Sequence, residues 1–104
     1  MYVTIRRFKV APDVIDEVID LAKKEFLPEL VAIPGFKAFY QLHAGEDVLV
    51  SVSVFADKTG ADASNRLSIE CVKDHLADLL PEPPEIIEGE VVTAEVAETL
   101  MRAG

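Results

Sequence analysis

The chain has 104 residues, half of them hydrophobic and 28% charged, with 19 acidic residues against 10 basic ones and a formal net charge of -9. This length suits a single domain, residues 1–104, with a core over about 1–96 that needs neither disulfides nor metal; the acidic balance excludes the clustered Lys and Arg of nucleic-acid binding. A mean hydropathy of +0.24 is high for a small monomer, which must cover its surface with polar groups, and points to self-association.

Residues 2–10 are rich in β-branched and aromatic side chains and predict a strand, ended by the turn signal Ala11, Pro12, Asp13. Pro12 suits a first helical turn. From Val14, the residues Ile15, Val18, Ile19, Leu21, Ala22 and Phe26 share one arc at about 100° per residue, and Asp16, Glu17, Asp20, Lys23 and Lys24 fill the other. That spacing predicts an amphipathic helix, ended or kinked by Pro28, with one further short turn before Pro34 and Gly35. Two strands follow, about Phe36 to His43 and Val48 to Phe55, joined by the polar hairpin connection Ala44 to Asp47. Asp57 can cap a second helix, in which Ile69, Val72, Leu76, Leu79 and Leu80 share a face. The run Pro81 to Glu85 stops it, a last strand is expected over about Glu88 to Val96, and the tail 97–104 adds a turn or frays.

The order β, α, β, β, α, β is that of an α+β, ferredoxin-like domain, a four-stranded antiparallel sheet with both helices on one face. A helix-free face meeting solvent should read polar. Here one phase of the third segment gives Val48, Val50, Val52 and Val54, and the other gives Leu49, Ser51, Ser53 and Phe55. Neither is meant for water, so a second copy packed sheet to sheet is expected, enclosing a chamber with some polar groups. Which phase faces that partner stays open.

Three pieces in this order carry a resemblance: "IPGF" at 33–36 after the amphipathic helix, "VLVSVSVFAD" at 48–57 leading into the second helix, and "EGEVVTAE" at 88–95. Together they resemble the dimeric α+β barrel superfamily, closest to its antibiotic biosynthesis monooxygenase-like branch. The resemblance implies a homodimer whose two sheets form a barrel. It also implies an apolar or aromatic small molecule as ligand, and in some members its oxidation by O₂ with no cofactor. Other members degrade haem, and many have no known activity.

Cofactor-free oxygenation requires a phenolic substrate to lose a proton and its anion to be stabilised. His43 is the candidate base, because imidazole titrates near neutral pH; its alternative is a hairpin-end residue half in solvent. Tyr40 lies on the opposite phase and also reads as a core aromatic. Arg6 and Arg7 point to opposite faces, and one of them, with Arg7 as the candidate, can bind an anion or instead form an ion pair. Gln41, Ser51 and Ser53 are candidate ligand contacts, or hydrogen-bond one another. Cys71 and His75, four residues apart on a helix, make half a soft metal site at most, and no metal or cofactor is expected. Glu82, Glu85, Glu88 and Glu90 read as a solvated Pro-rich loop. With no leader segment and no 18-residue apolar run visible, and Cys71 the lone cysteine, the expected setting is cytoplasmic, without membrane or nucleic-acid partners. The alternative function is a non-catalytic ligand-binding or structural barrel.

Overall fold

The alternating segments form four strands, β1 (Tyr2–Lys9), β2 (Phe36–His43), β3 (Val48–Phe55) and β4 (Glu85–Glu90). In the computed structural model, which describes residues 1–97, they pair in the order β2-β3-β1-β4 with every neighbour antiparallel. Both helical stretches lie on one face of this sheet, giving the ferredoxin-like α+β architecture. The β2-β3 hairpin closes through Gly45 at φ +80°, a left-handed conformation that glycine adopts without strain, and Ala44 N–H donates to Val48 O at 2.9 Å.

The first helical stretch runs over residues 12–31 and passes through Pro28 instead of ending there. It begins as a 3₁₀ turn (Pro12–Val14), continues as α-helix (Ile15–Leu21), widens to a π turn (Ala22–Phe26) and resumes as α-helix (Leu27–Val31). The wide turn explains the continuity. Leu27 N–H reaches back five residues to Ala22 O, which makes room where the Pro28 ring would otherwise crowd the carbonyl four residues earlier. Its inward arc is the expected one through Phe26, with Ile15, Val18 and Phe26 buried, and it extends past Pro28 to the buried Leu30.

The second stretch, residues 58–76, starts where expected. Asp57 caps it by accepting from Gly60 N at 3.2 Å, and its last turn, Val72–Leu76, is again a π turn. Its inward face differs from the apolar stripe read in the sequence. Ala61, Ser64, Ser68, Cys71 and Leu76 are buried, whereas Ile69 is 60% exposed. Small and hydroxyl side chains let this helix approach the sheet closely and serve a polar group on it, a role that hydrophobic periodicity does not register.

β4 departs from the expected Glu88 to Val96. Among the described residues it pairs with β1 alone, which begins at Tyr2, opposite Glu90; Val91 N–H donates to Met1 O at 2.8 Å, and the ladder runs no further. The strand begins at Glu85 because Pro81, Pro83 and Pro84 carry no N–H for a ladder. Glu85, Glu88 and Glu90 therefore belong to a strand, not to a solvated loop. The tail read over 97–104 lies, after Ala97, outside the described residues.

A register shift between Phe36 and Ala38 puts Phe36 opposite Phe55 and Phe39 opposite Ser53, so both rings face the helices although three positions apart. Phe36 meets Phe55 edge-on at 6.0 Å, and Phe39 meets Phe26 at 6.1 Å. Gly60 lets the second helix lie on this layer, since a Cβ there would sit 2.8 Å from Phe55 Cδ1, on a ring with no exposure. Gly60→Ala is expected to cost about 1 to 2 kcal/mol in urea unfolding, overpacking outweighing the gain in helix propensity. Gly89→Ala, with nothing within 4 Å of the new methyl, is expected to change stability by less than about 0.5 kcal/mol.

Candidate functional site

Directly opposed residues of an antiparallel sheet share a face, so the register sorts every strand side chain. Arg6 is opposite Ser51, and with Thr4, Phe8, Ser53, Leu49, Phe39 and Gln41 it faces the helices. Val3, Ile5, Val50, Val52, Val54, Ala38, Tyr40, Leu42 and Ile87 face the other way. The helix-free face is thus apolar at its centre, with Tyr40 and Leu42 each 51% exposed and Ile87 59%, and carries the charged Arg7, Lys9 and Glu85 at one end. Polar groups had been expected on the face covered by a partner. They lie under the helices instead, because Arg6 is there and needs acceptors.

Arg6 is 1% exposed. Its Nε donates to Ser51 Oγ at 3.2 Å, Nη1 to Ser64 Oγ at 3.3 Å and to Asn65 Oδ1 at 2.8 Å, and Nη2 to Ser53 Oγ at 2.7 Å. The Phe26 ring, brought in by the first π turn, lies with its centroid 5.5 Å from the guanidinium carbon. Hydrogen bonds from a charged donor contribute about 1.5 to 3 kcal/mol each, which is what makes burial of this cation tolerable. All four acceptors are neutral. Burial pushes the Arg6 pKa down to about 10, so the group remains cationic at neutral pH with no anion bonded to it.

Asn65 joins this cluster to the surface. Its Oδ1 also accepts from Thr4 Oγ1 at 3.1 Å, and its Nδ2 donates to Glu88 Oε2 at 3.0 Å. Ser64 donates its own proton to Ala61 O at 2.6 Å, leaving oxygen lone pairs for Arg6.

Arg6 lies at the wall of a cavity of about 40 Å³ between sheet and helices. Its apolar lining comes from the sheet (Phe8, Phe39, Leu49) and from the helical layer (Val18, Ala22, Phe26, Val72, Leu76, Leu80), and Ser51, Gln41 and Ser68 are polar. Both π turns contribute, through Ala22 and Phe26 on one and Val72 and Leu76 on the other. The space exceeds the roughly 10 to 15 Å³ that one water needs and falls well short of the roughly 300 Å³ of a small-molecule pocket. An aromatic ligand would require the helical layer to lift.

The structure brings Gln41 and Ser51 to this cavity, and Ser53 to Arg6 behind it. Arg7 is elsewhere, on the helix-free face, where its Nη1 lies 4.0 Å from Glu85 Oε2 with both side chains more than half exposed. His43 is exposed at the end of β2 and does not line the cavity, so no imidazole stands ready to act as base there. Tyr40 is on the opposite face. Cys71 lines the cavity with its thiol pKa pushed up, chiefly by burial, which keeps it protonated and unreactive. His75 Nε2 lies 3.7 Å from Glu25 Oε2, and no metal-binding cluster occurs among the described residues. Ser64 and Asn65 were not read as site residues. Their signal was chemical: an inward arginine with no inward carboxylate needs neutral acceptors within reach.

No protein-family model and no curated protein matches the chain. Solved structures do match. A protein of unknown function from Nitrosomonas europaea is 23% identical with a TM-score of 0.75, covering 92% of this chain and 93% of that one. The monooxygenase ActVA-Orf6 of Streptomyces coelicolor, solved with the ligand nanaomycin D, is 17% identical with a TM-score of 0.73, covering 93% and 92%. A dimeric ferredoxin-like protein from an uncultured marine organism is 9% identical with a TM-score of 0.74, also covering 93% and 92%. No helix among the described residues is long and apolar enough to cross a membrane. The chain therefore shares its ferredoxin-like fold with the antibiotic biosynthesis monooxygenase-like structures.

Proposed function

We propose that this protein is a homodimer in which each protomer binds an apolar, acidic aromatic molecule between sheet and helices, its ionised oxygen held by Arg6. The observation that carries this reading is a buried guanidinium with only neutral partners at the wall of an apolar cavity. Such a cation attracts an anion strongly, because little water screens the pair. Gln41 adds a side-chain amide that makes no hydrogen bond among the described residues.

A phenol or quinol held in this way is also prepared for O₂. Arg6 favours the ionised form, so the proton leaves to solvent without a dedicated base, and the electron-rich ring carbon is then open to oxidation. For a phenol whose keto tautomer carries a ring CH₂, as an anthrone does, the overall change converts that CH₂ and O₂ to C=O and H₂O, with four electrons passing from the substrate to oxygen. The monooxygenase named among the structural neighbours supports this chemistry by analogy of fold. One observation favours a second reading, a binding protein without catalysis: no carboxylate, imidazole or phenol lines the cavity.

The dimer reading rests on the valine face. Two such faces packed about 10 Å apart would remove the exposed Tyr40, Leu42 and Ile87 from water, and the dimeric neighbour lends support. Native mass spectrometry should give twice the 11.4 kDa chain mass, and Val52→Glu should return it to the monomer. A wild-type mass of 11.4 kDa would remove the dimer.

For the reaction, an oxygen electrode with a panel of anthrones and naphthoquinols should register uptake above buffer. Arg6→Met should lower it roughly 100-fold, and His43→Ala should leave it unchanged. Uptake no faster than buffer across the panel, with binding intact, selects the non-catalytic reading.

A further inference from the structure

Arg6 could have been given a carboxylate, yet the position that contacts it most closely from the helix holds an amide. We propose that Asn65 is the residue that makes the site selective for anions, by positioning Arg6 without neutralising it. This rests on the reading that a ligand occupies the cavity.

The geometry fixes the amide's orientation. Asn65 Nδ2 donates to Glu88 Oε2 at 3.0 Å, while Oδ1 accepts from Arg6 Nη1 at 2.8 Å and from Thr4 Oγ1 at 3.1 Å. Turning the amide over would set its NH₂ against the guanidinium and its oxygen against a carboxylate, so only one orientation satisfies every partner. Glu88 is thus the anchor that keeps the Asn65 oxygen aimed at Arg6. It faces the helices because it lies opposite Thr4 in the β1-β4 register. The hydrogen-bonded chain from Arg6 reaches its first carboxylate only there, one side chain removed and in an exposed contact. The buried cation is held by an oriented dipole, and its charge stays available to a ligand.

The test exchanges the two functional groups and leaves the net charge at -9. In the double variant that combines Asn65→Asp with Glu88→Gln, the amide now on β4 donates to the carboxylate now on the helix. The bond between the two positions persists with its polarity reversed, and the carboxylate lies against Arg6. Binding of 4-nitrophenolate and of nitrobenzene is measured by equilibrium dialysis. Wild type should prefer the phenolate, and the double variant should lose at least about tenfold in phenolate affinity while keeping nitrobenzene within about twofold. Its melting temperature at pH 7 should rise by roughly a few degrees as the buried cation gains a partner. A double variant that keeps the wild-type preference for phenolate would overturn the proposal, as would loss of both probes together. Wild type that takes up neither probe would instead overturn the ligand-binding reading on which it stands.

Discussion

One buried cation organises this molecule. Arg6 occupies the centre of β1, faces the helices and draws its acceptors from β3 (Ser51, Ser53) and the second helix (Ser64, Asn65), and Asn65 in turn ties the cluster to β4 by donating to Glu88. A guanidinium cannot be left unpaired in an interior without a large loss of solvation. The elements that satisfy it must therefore arrive together and in register. A slip of β3 by one residue would present valines to Arg6 and serines to the opposite face, failing on both sides of the sheet at once. The polar cluster thus couples the register of β3 to a single side chain of β1.

Around that cluster the core is ordinary. Val10, Ile15, Val18, Leu30, Leu49, Phe55 and Leu80 fill the space between sheet and helices, and edge-on aromatic pairs link the first helix and β3 to β2. The helix-free face is the unusual surface, since its central rows are valine, isoleucine and leucine where a solvated antiparallel sheet would carry polar residues. The molecule keeps polarity inside and apolarity outside on its central strand: the inward half supplies acceptors for Arg6, and the outward half is the surface on which the proposed dimer rests.

That inversion also explains what could be read from the sequence. β2 and β3 were legible to the residue because their alternation ends at sharp turn signals on both sides, and the first helix was legible as a pattern because its apolar arc is wide. The facing of β3 was not legible. Hydrophobicity alone gives no reason for serines to point inward, and the reason lies 45 positions away in Arg6. The arginine pair posed the same problem, for adjacent residues must diverge but the sequence does not say which one turns in. β4 was misplaced because a strand's limits come from the strand it pairs with, which for β4 is β1. Continuation of the first helix past Pro28 depended on a π turn, which no local propensity announces.

The two π turns make the helical wall of the cavity different in kind from the sheet wall. On the sheet side, the Arg6 guanidinium is bonded to Ser51 and Ser53 of β3 and reaches across to Ser64 and Asn65 of the second helix. On the opposite side, each helix is wound wide where it crosses the cavity, with fewer of its carbonyls held in α-type hydrogen bonds. Under the proposed function, the sheet wall sets what charge is accepted and the helical wall sets what size. Those walls belong to different segments of chain, so on that reading the bulk of the ligand can be altered through the π turns without rebuilding the group that recognises its charge.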